Sequence, residues 1–238
     1  MDVTVPARGR IAAVLFDKDG TLMDFQKSWG PWARRVIDGL CGADEEKAAA
    51  VAQALGFDRR AALFRPGSPV IAGTPEDVLA ALRPYFPRAR DAEMLDRLTP
   101  EPATFAPVAV EGLAQSCARL AGAGIALAVV TNDFEAAART HLVQMGVADA
   151  FDVVIGYDSG FGGKPRPDPC TGAAARLGVA PDACVMVGDS LHDLNAGRAA
   201  GMRTVAVLTG VAGAAELAPF ADALFPSVAE MSDWILGG

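Results

Sequence analysis

Five short apolar runs, at residues 11–16, 125–130, 153–155, 184–187 and 204–208, constrain this chain more than any other feature. None alternates apolar with polar residues, so neither side of such a strand is suited to water. Strands of this length, buried on both faces, belong to parallel sheets. Helix-patterned segments at 111–121, 134–145, 169–177 and 191–200 lie between the later runs. Each is followed closely by a glycine (Gly124, Gly146, Gly178, Gly201), which supplies the left-handed turn that ends a helix. Alternating strand and helix predict a doubly wound, Rossmann-like α/β core.

Residues 23–105 interrupt this rhythm. Val36, Ile37 and Leu40 share one helical face, as do Val78, Leu79 and Leu82, and no convincing strand stands out. Residues 64–69 (Phe-Arg-Pro-Gly-Ser-Pro) read as a loop, and Pro100, Pro102 and Pro107 mark the return to the core. The expected organisation is therefore a core domain of residues 1–22 plus 106–238 and a smaller all-helical cap domain of residues 23–105.

In an open parallel sheet, ligands bind beyond the carboxyl ends of the strands. The polar residues that follow each apolar run are thus the informative ones. Asp17 and Asp19 follow the first run, Thr131, Asn132 and Asp133 the second, and Asp189, Ser190 and Asp193 the fourth. Gly162-Gly163-Lys164-Pro165 lies between the third and fourth. Carboxylates gathered at one end repel by about 4 kcal/mol per pair at 4 Å and an effective dielectric near 20. A divalent cation relieves that repulsion, and an all-oxygen donor set suits magnesium better than zinc. Lysine is also scarce: of 21 basic residues only Lys18, Lys27, Lys47 and Lys164 are lysines. With a magnesium ion and Lys164, this end of the sheet becomes attractive to a phosphate.

Asp17-Lys18-Asp19-Gly20-Thr21, Val129-Val130-Thr131-Asn132, Lys164-Pro165-Arg166-Pro167 and Gly188-Asp189-Ser190-Leu191-His192-Asp193 resemble, in order, the four motifs of haloacid dehalogenase superfamily phosphatases. The helical insertion after the first motif is similar to the cap of phosphoglycolate phosphatase-like members. The resemblance implies that Asp17 is the nucleophile forming an aspartyl-phosphate and Asp19 the acid/base for the leaving alcohol and then water. It implies that Asp17, Asp189 and the backbone carbonyl of Asp19 ligate Mg2+, and that Thr131 and the Asn132 backbone hold the phosphoryl oxygens. Lys164 would neutralise Asp17 and phosphate, with Asp193 acting behind it. Position 18, usually apolar or aromatic in this family, is Lys18 here; its stem is expected to pack while the ammonium reaches out.

The expected activity is Mg-dependent hydrolysis of a small, phosphoglycolate-like phosphomonoester. A phosphomutase or a haloacid dehalogenase shares the core, although the dehalogenase lacks the second Asp. Receiver-like signalling and non-catalytic phosphate-binding proteins are the rivals outside the enzymes. Phosphonate hydrolysis would need a cap lysine, with Lys27 and Lys47 as candidates. Phe25, Trp29 and Trp32 are expected to pack between cap helices or wall the substrate, and Arg65 is a candidate anion reader in the cap. His141 is expected to be structural and His192 to fill a local hydrogen bond.

A net charge of −8 with no basic cluster disfavours nucleic acid and anionic membranes as partners. The 4 cysteines form no zinc-like spacing, no apolar stretch is long enough to span a bilayer, and the N-terminal residues lack a signal peptide's apolar region. The expected setting is cytoplasmic, with a small phosphorylated metabolite as partner and a monomer or homodimer as assembly.

Overall fold

The computed structural model describes residues 9–99 and 104–237; Pro100, Pro102 and the N-terminal residues 1–8 lie outside the described residues. Strand β1 (Ala13–Phe16) leads into α1 (Phe25–Cys41), α2 (Glu45–Ala54), the two-residue strands β2 (Phe57–Asp58) and β3 (Leu63–Phe64), α3 (Pro75–Leu82) and α4 (Asp91–Leu98). The alternating part follows: α5 (Leu113–Gly122), β4 (Ala126–Val130), α6 (Glu135–Gln144), β5 (Val153–Ile155), α7 (Asp168–Leu177), β6 (Cys184–Gly188), α8 (Leu191–Ala199), β7 (Arg203–Val207), α9 (Ala214–Leu217), β8 (Ala223–Phe225) and α10 (Ser232–Ile235).

Six strands form one parallel sheet in the order β5-β4-β1-β6-β7-β8. The order runs away from β1 in both directions, so the crevice at its carboxyl end is the topological switch point. Along β1, Val14 and Phe16 enter one core, with α5, α6 and α10, while Ala13 and Leu15 enter the other, with α7 and α8. Burial on both faces is what the unalternating runs predicted. Strand β8 (Ala-Leu-Phe) was not among those runs, although it is as short and as apolar as β5; it lies half-buried at the sheet edge.

Gly124, Gly146, Gly178 and Gly201 all take positive φ just beyond helices, as the sequence suggested. Helices α1–α4 gather around a core of their own that includes Phe25, Trp29, Ile37, Val51, Leu55, Leu79 and Met94. Each such large apolar side chain contributes about 1.5–3 kcal/mol on burial. The insertion is helical apart from the antiparallel β2–β3 pair, whose Phe57 and Phe64 rings pack tilted at 4.8 Å between centroids. Asp24 and Thr74 accept backbone N–H bonds at the starts of α1 and α3, the latter in a reciprocal capping box with Asp77. All four cysteines carry free thiols, and among the described residues no helix is long and apolar enough to cross a membrane.

Candidate active site

Sheet register sets the site. Phe16 pairs with Val129 on one side and Val187 on the other, bringing Asp17 level with Val130 and Gly188. Thr131 and Asp189 leave their strands one step further on. Asp17, Thr131, Asn132, Lys164, Asp189 and Asp193 are all buried in one cavity at this end of the sheet.

Lys164 binds the parts together. Its Nζ donates to Asp17 Oδ1 at 2.6 Å, to Asp193 Oδ1 at 2.7 Å and to the Val130 carbonyl at 2.7 Å. Three ammonium protons meet three acceptors, which is what makes the burial of this charge tolerable. Asn132 fixes the loop that carries Lys164: Oδ1 accepts from the Lys164 N–H at 2.8 Å, and Nδ2 donates to the Lys164 carbonyl at 3.0 Å. Asp193 Oδ2 also accepts from the N–H and hydroxyl of Ser190, so one carboxylate caps α8 and steadies Lys164.

Asp17, Asp189 and Asp193 each offer an oxygen within 4.8 Å of the others. With Lys164 as the adjacent ammonium, these three carboxylates leave a net charge of two negatives, which a divalent cation would neutralise. Burial pushes the Asp17 carboxyl up to about 7; Lys164 opposes the rise while Asp193 and Asp19 add to it. Asp189 is pushed well above the usual carboxylate range by burial and by Asp17 and Asp193. Burial works against the charge of Lys164, yet Asp17 and Asp193 hold its pKa above the ordinary value.

Glycines clear the space around Asp189. A Cβ on Gly20, whose φ is +91°, would sit 2.5 Å from Asp189 Oδ2, and one on Gly210 would sit 1.7 Å away. Thr21 Oγ1 donates to Asp189 Oδ1 at 3.3 Å. An all-oxygen set, excess negative charge and a cradle open only to glycine fit a hard cation of the magnesium type.

Asp19 lies in a second cluster. Its Oδ1 accepts from Trp29 Nε1, and its Oδ2 is 2.7 Å from Lys18 Nζ. Lys18 departs from expectation: its ammonium does not reach out but is fully buried. The strand ends at Phe16, and the Lys18 carbonyl accepts from the N–H groups of Thr21, Leu22 and Met23, closing a tight loop. The loop therefore turns the Lys18 ammonium in beside Asp19. Asp133 Oδ2 and His141 Nδ1, each 3.0 Å from Nζ, complete its three acceptors. An ammonium only donates, so Nδ1 of His141 is unprotonated and the ring proton sits on Nε2. Burial and Lys18 drive that imidazole down to about 3. Burial would raise Asp19, but Lys18 and Trp29 bring it below the usual range.

Asp133, His141 and the Trp29 indole N–H were not singled out as site groups by sequence. Asp133 carried a signal, since it follows Thr131-Asn132 directly in the same turn. Of the cap candidates, Phe25, Trp29 and Trp32 both pack in the helical core and line the cavity, whereas Arg65 is exposed beside Asp58. His192 Nδ1 donates to the Ala72 carbonyl at 2.9 Å, a local bond as expected, and Asn132 Nδ2 donates to the same oxygen at 2.9 Å.

A parallel sheet with carboxylates, lysine and a phosphate-sized crevice at its switch point defines a class of phosphoryl-handling α/β hydrolases. The haloacid dehalogenase-like hydrolase family matches residues 11–201. The phosphoglycolate phosphatase of Rhodospirillum rubrum is 32% identical over 225 residues, covering 94% of this chain and 90% of the relative. The N-acetylmuramic acid 6-phosphate phosphatase of Pseudomonas aeruginosa is 31% identical over 205 residues, covering 85% and 84%. Among solved structures, CbbY from Rhodobacter sphaeroides in complex with phosphate superposes with a TM-score of 0.67 at 25% identity, covering 96% of this chain and 100% of that one. The chain belongs to the haloacid dehalogenase-like hydrolase family and is a hydrolase of its phosphatase type.

Proposed function

We propose that this protein hydrolyses a phosphomonoester with magnesium, through an aspartyl-phosphate on Asp17. The observation that carries the reading is Lys164 bridging Asp17 and Asp193 beside Asp189, within one buried crevice. Asp17, Asp189 and the Asp19 backbone carbonyl would hold the magnesium ion. The ion would supply positive charge to the phosphoryl oxygens and lower the pKa of Asp17. Lys164 favours the ionised form of Asp17 and aims it, and adds its own charge beneath the phosphoryl group.

In the first step an Asp17 oxygen attacks phosphorus, the bond from phosphorus to the alcohol oxygen breaks, and Asp19 gives that oxygen its proton. Asp19 must enter this step protonated, although Lys18 and Trp29 favour its carboxylate. In the second, Asp19 takes a proton from water as the water oxygen attacks phosphorus. Inorganic phosphate leaves and the Asp17 carboxylate is restored. Thr131 and the Asn132 backbone bind phosphoryl oxygens at the end of β4, while Asp193 positions Lys164. Residues 23–105 act as a cap over a core of residues 1–22 and 106–238, excluding water during the first transfer.

The relatives named above act, by name, on phosphoglycolate and on N-acetylmuramic acid 6-phosphate, so the alcohol portion varies at about this identity. Free thiols support a cytoplasmic setting. Phosphate release from a panel of phosphomonoesters, with magnesium and with EDTA, tests the reading. Release should require magnesium, and Asp17→Asn should lower kcat by at least about 10³-fold. Full activity in Asp17→Asn or in EDTA would overturn the mechanism. Halide release from haloacids would favour the dehalogenase rival instead.

A further inference from the structure

The cavity that holds the carboxylates and Lys164 does not end at a phosphate-sized crevice. It continues between the sheet and the helical insertion, with a cavity volume of about 130 Å³. That is room for one ring or a short chain, close to the about 150 Å³ of an apolar cavity that holds benzene. Its far wall is apolar: Phe25, Trp32, Val36, Phe64, Val70 and Leu95 come from α1, β3, the following loop and α4.

The charges around it are just as informative. Among the described residues Lys164 is the only lysine or arginine in the lining, and its three protons are taken by Asp17, Asp193 and Val130. Three arginines of the insertion are engaged elsewhere. Arg34 donates to the carbonyls of Arg59 and Arg60, Arg35 to that of Thr104, and Arg59 pairs with Asp38 and Glu45. Nothing in the lining is left to neutralise a second anionic group, and five aspartates would repel one. A carboxylate or second phosphate on the leaving group would lose its water without a partner, which is costly.

We propose that the alcohol released by this enzyme is uncharged and largely apolar, an aryl or short-chain alkyl alcohol, seated against the aromatic and aliphatic wall of the insertion. This rests on the phosphatase reading above. Aromatic walls favour flat rings and methylene chains through area burial and edge contacts. The distal apolar wall would thus bind the alcohol while the carboxylate and lysine end binds the phosphoryl group.

Phosphate release from a series of n-alkyl phosphates, phenyl phosphate and 2-phosphoglycolate, all with magnesium, tests the assignment. In parallel, calorimetry measures binding of n-alkyl phosphonates, which carry no ester to cleave. kcat/KM should rise about fourfold per added methylene until the wall is covered. Phenyl phosphate should exceed 2-phosphoglycolate by about 100-fold or more, and phosphonate affinity should rise in step with chain length. A flat or falling alkyl series, or 2-phosphoglycolate as the best substrate, would overturn the assignment while leaving the phosphatase reading intact. Absence of release from every ester, with phosphonate affinity still rising with chain length, would overturn the phosphatase reading and support the apolar site.

Discussion

The indole Nε1 of Trp29, on helix α1 of the insertion, donates a hydrogen bond to Oδ1 of Asp19 in the loop after β1. A side chain of the helical insertion thus touches the proposed acid/base directly. Trp29 also packs against Phe105 at 4.6 Å and Trp32 at 5.0 Å between centroids, so its position follows that of the helical core. Trp29→Phe keeps most of the ring packing and removes the donor. Losing one hydrogen bond to a charged group is expected to lower kcat/KM about tenfold, with little change in thermal midpoint. Steady-state kinetics beside a melting curve checks this.

Lys18 joins Asp19, Asp133 and His141 with no exposure to water. Lys18→Met would leave two buried carboxylates without their counter-charge. Removing one partner of a buried ion pair costs about 3–5 kcal/mol, so urea unfolding should move to a clearly lower midpoint. An unchanged midpoint would mean that Asp19 and Asp133 are stabilised in some other way.

His141 contributes a pH dependence of its own. Its folded pKa of about 3 lies below the ordinary 6.5, so the unfolded chain binds a proton that the folded chain refuses between those values. The associated stability is complete above pH 6.5 and is lost as pH falls toward 3, by at most about 1.4 kcal/mol per pH unit. His141→Gln keeps an acceptor for Lys18 but does not titrate. Its stability should fall less steeply than the parent's over this window, as followed by denaturant unfolding at several pH values.

The sign is opposite for Asp17 in the metal-free protein. With its carboxyl raised from 3.8 to about 7, the folded chain holds a proton that the unfolded chain has released. This group's contribution is complete below pH 3.8 and is lost as pH rises through 7. Magnesium binding competes with that proton and removes the repulsion, so the magnesium-induced rise in thermal midpoint should be larger at pH 8 than at pH 5. Thermal melts with magnesium and with EDTA at the two pH values measure it.

Gly20 and Asp189 are joined by lack of space. At φ +91° a Cβ at position 20 would be strained as well as 2.5 Å from Asp189 Oδ2. Gly20→Ala should displace the carboxylate and weaken magnesium by about 10–100-fold. A magnesium titration of phosphate release, with circular dichroism to confirm folding, reads that outcome.

The legible part of this protein lay in short, contiguous segments. Two-sided apolar runs marked five of the six parallel strands, and catalysis in such sheets sits in the first few residues after each strand. Asp17, Asp19, Thr131, Asn132, Asp189 and Asp193 were therefore visible as positions before any contact was known. Lys164 was visible from its glycine-rich loop and the rarity of lysine.

What tertiary structure decided depends on residues far apart in the chain. The Lys18 ammonium was expected to reach out and is buried instead, because the strand stops at Phe16 and because the third acceptor, His141, is 123 positions away. The Trp29 contact and the apolar wall arise only when α1, α4 and the β2–β3 pair are placed above the sheet. Local sequence determines which residues leave a strand at its carboxyl end. Which charges are paired there, and whether the space above them welcomes an anion or an apolar group, is set by long-range packing.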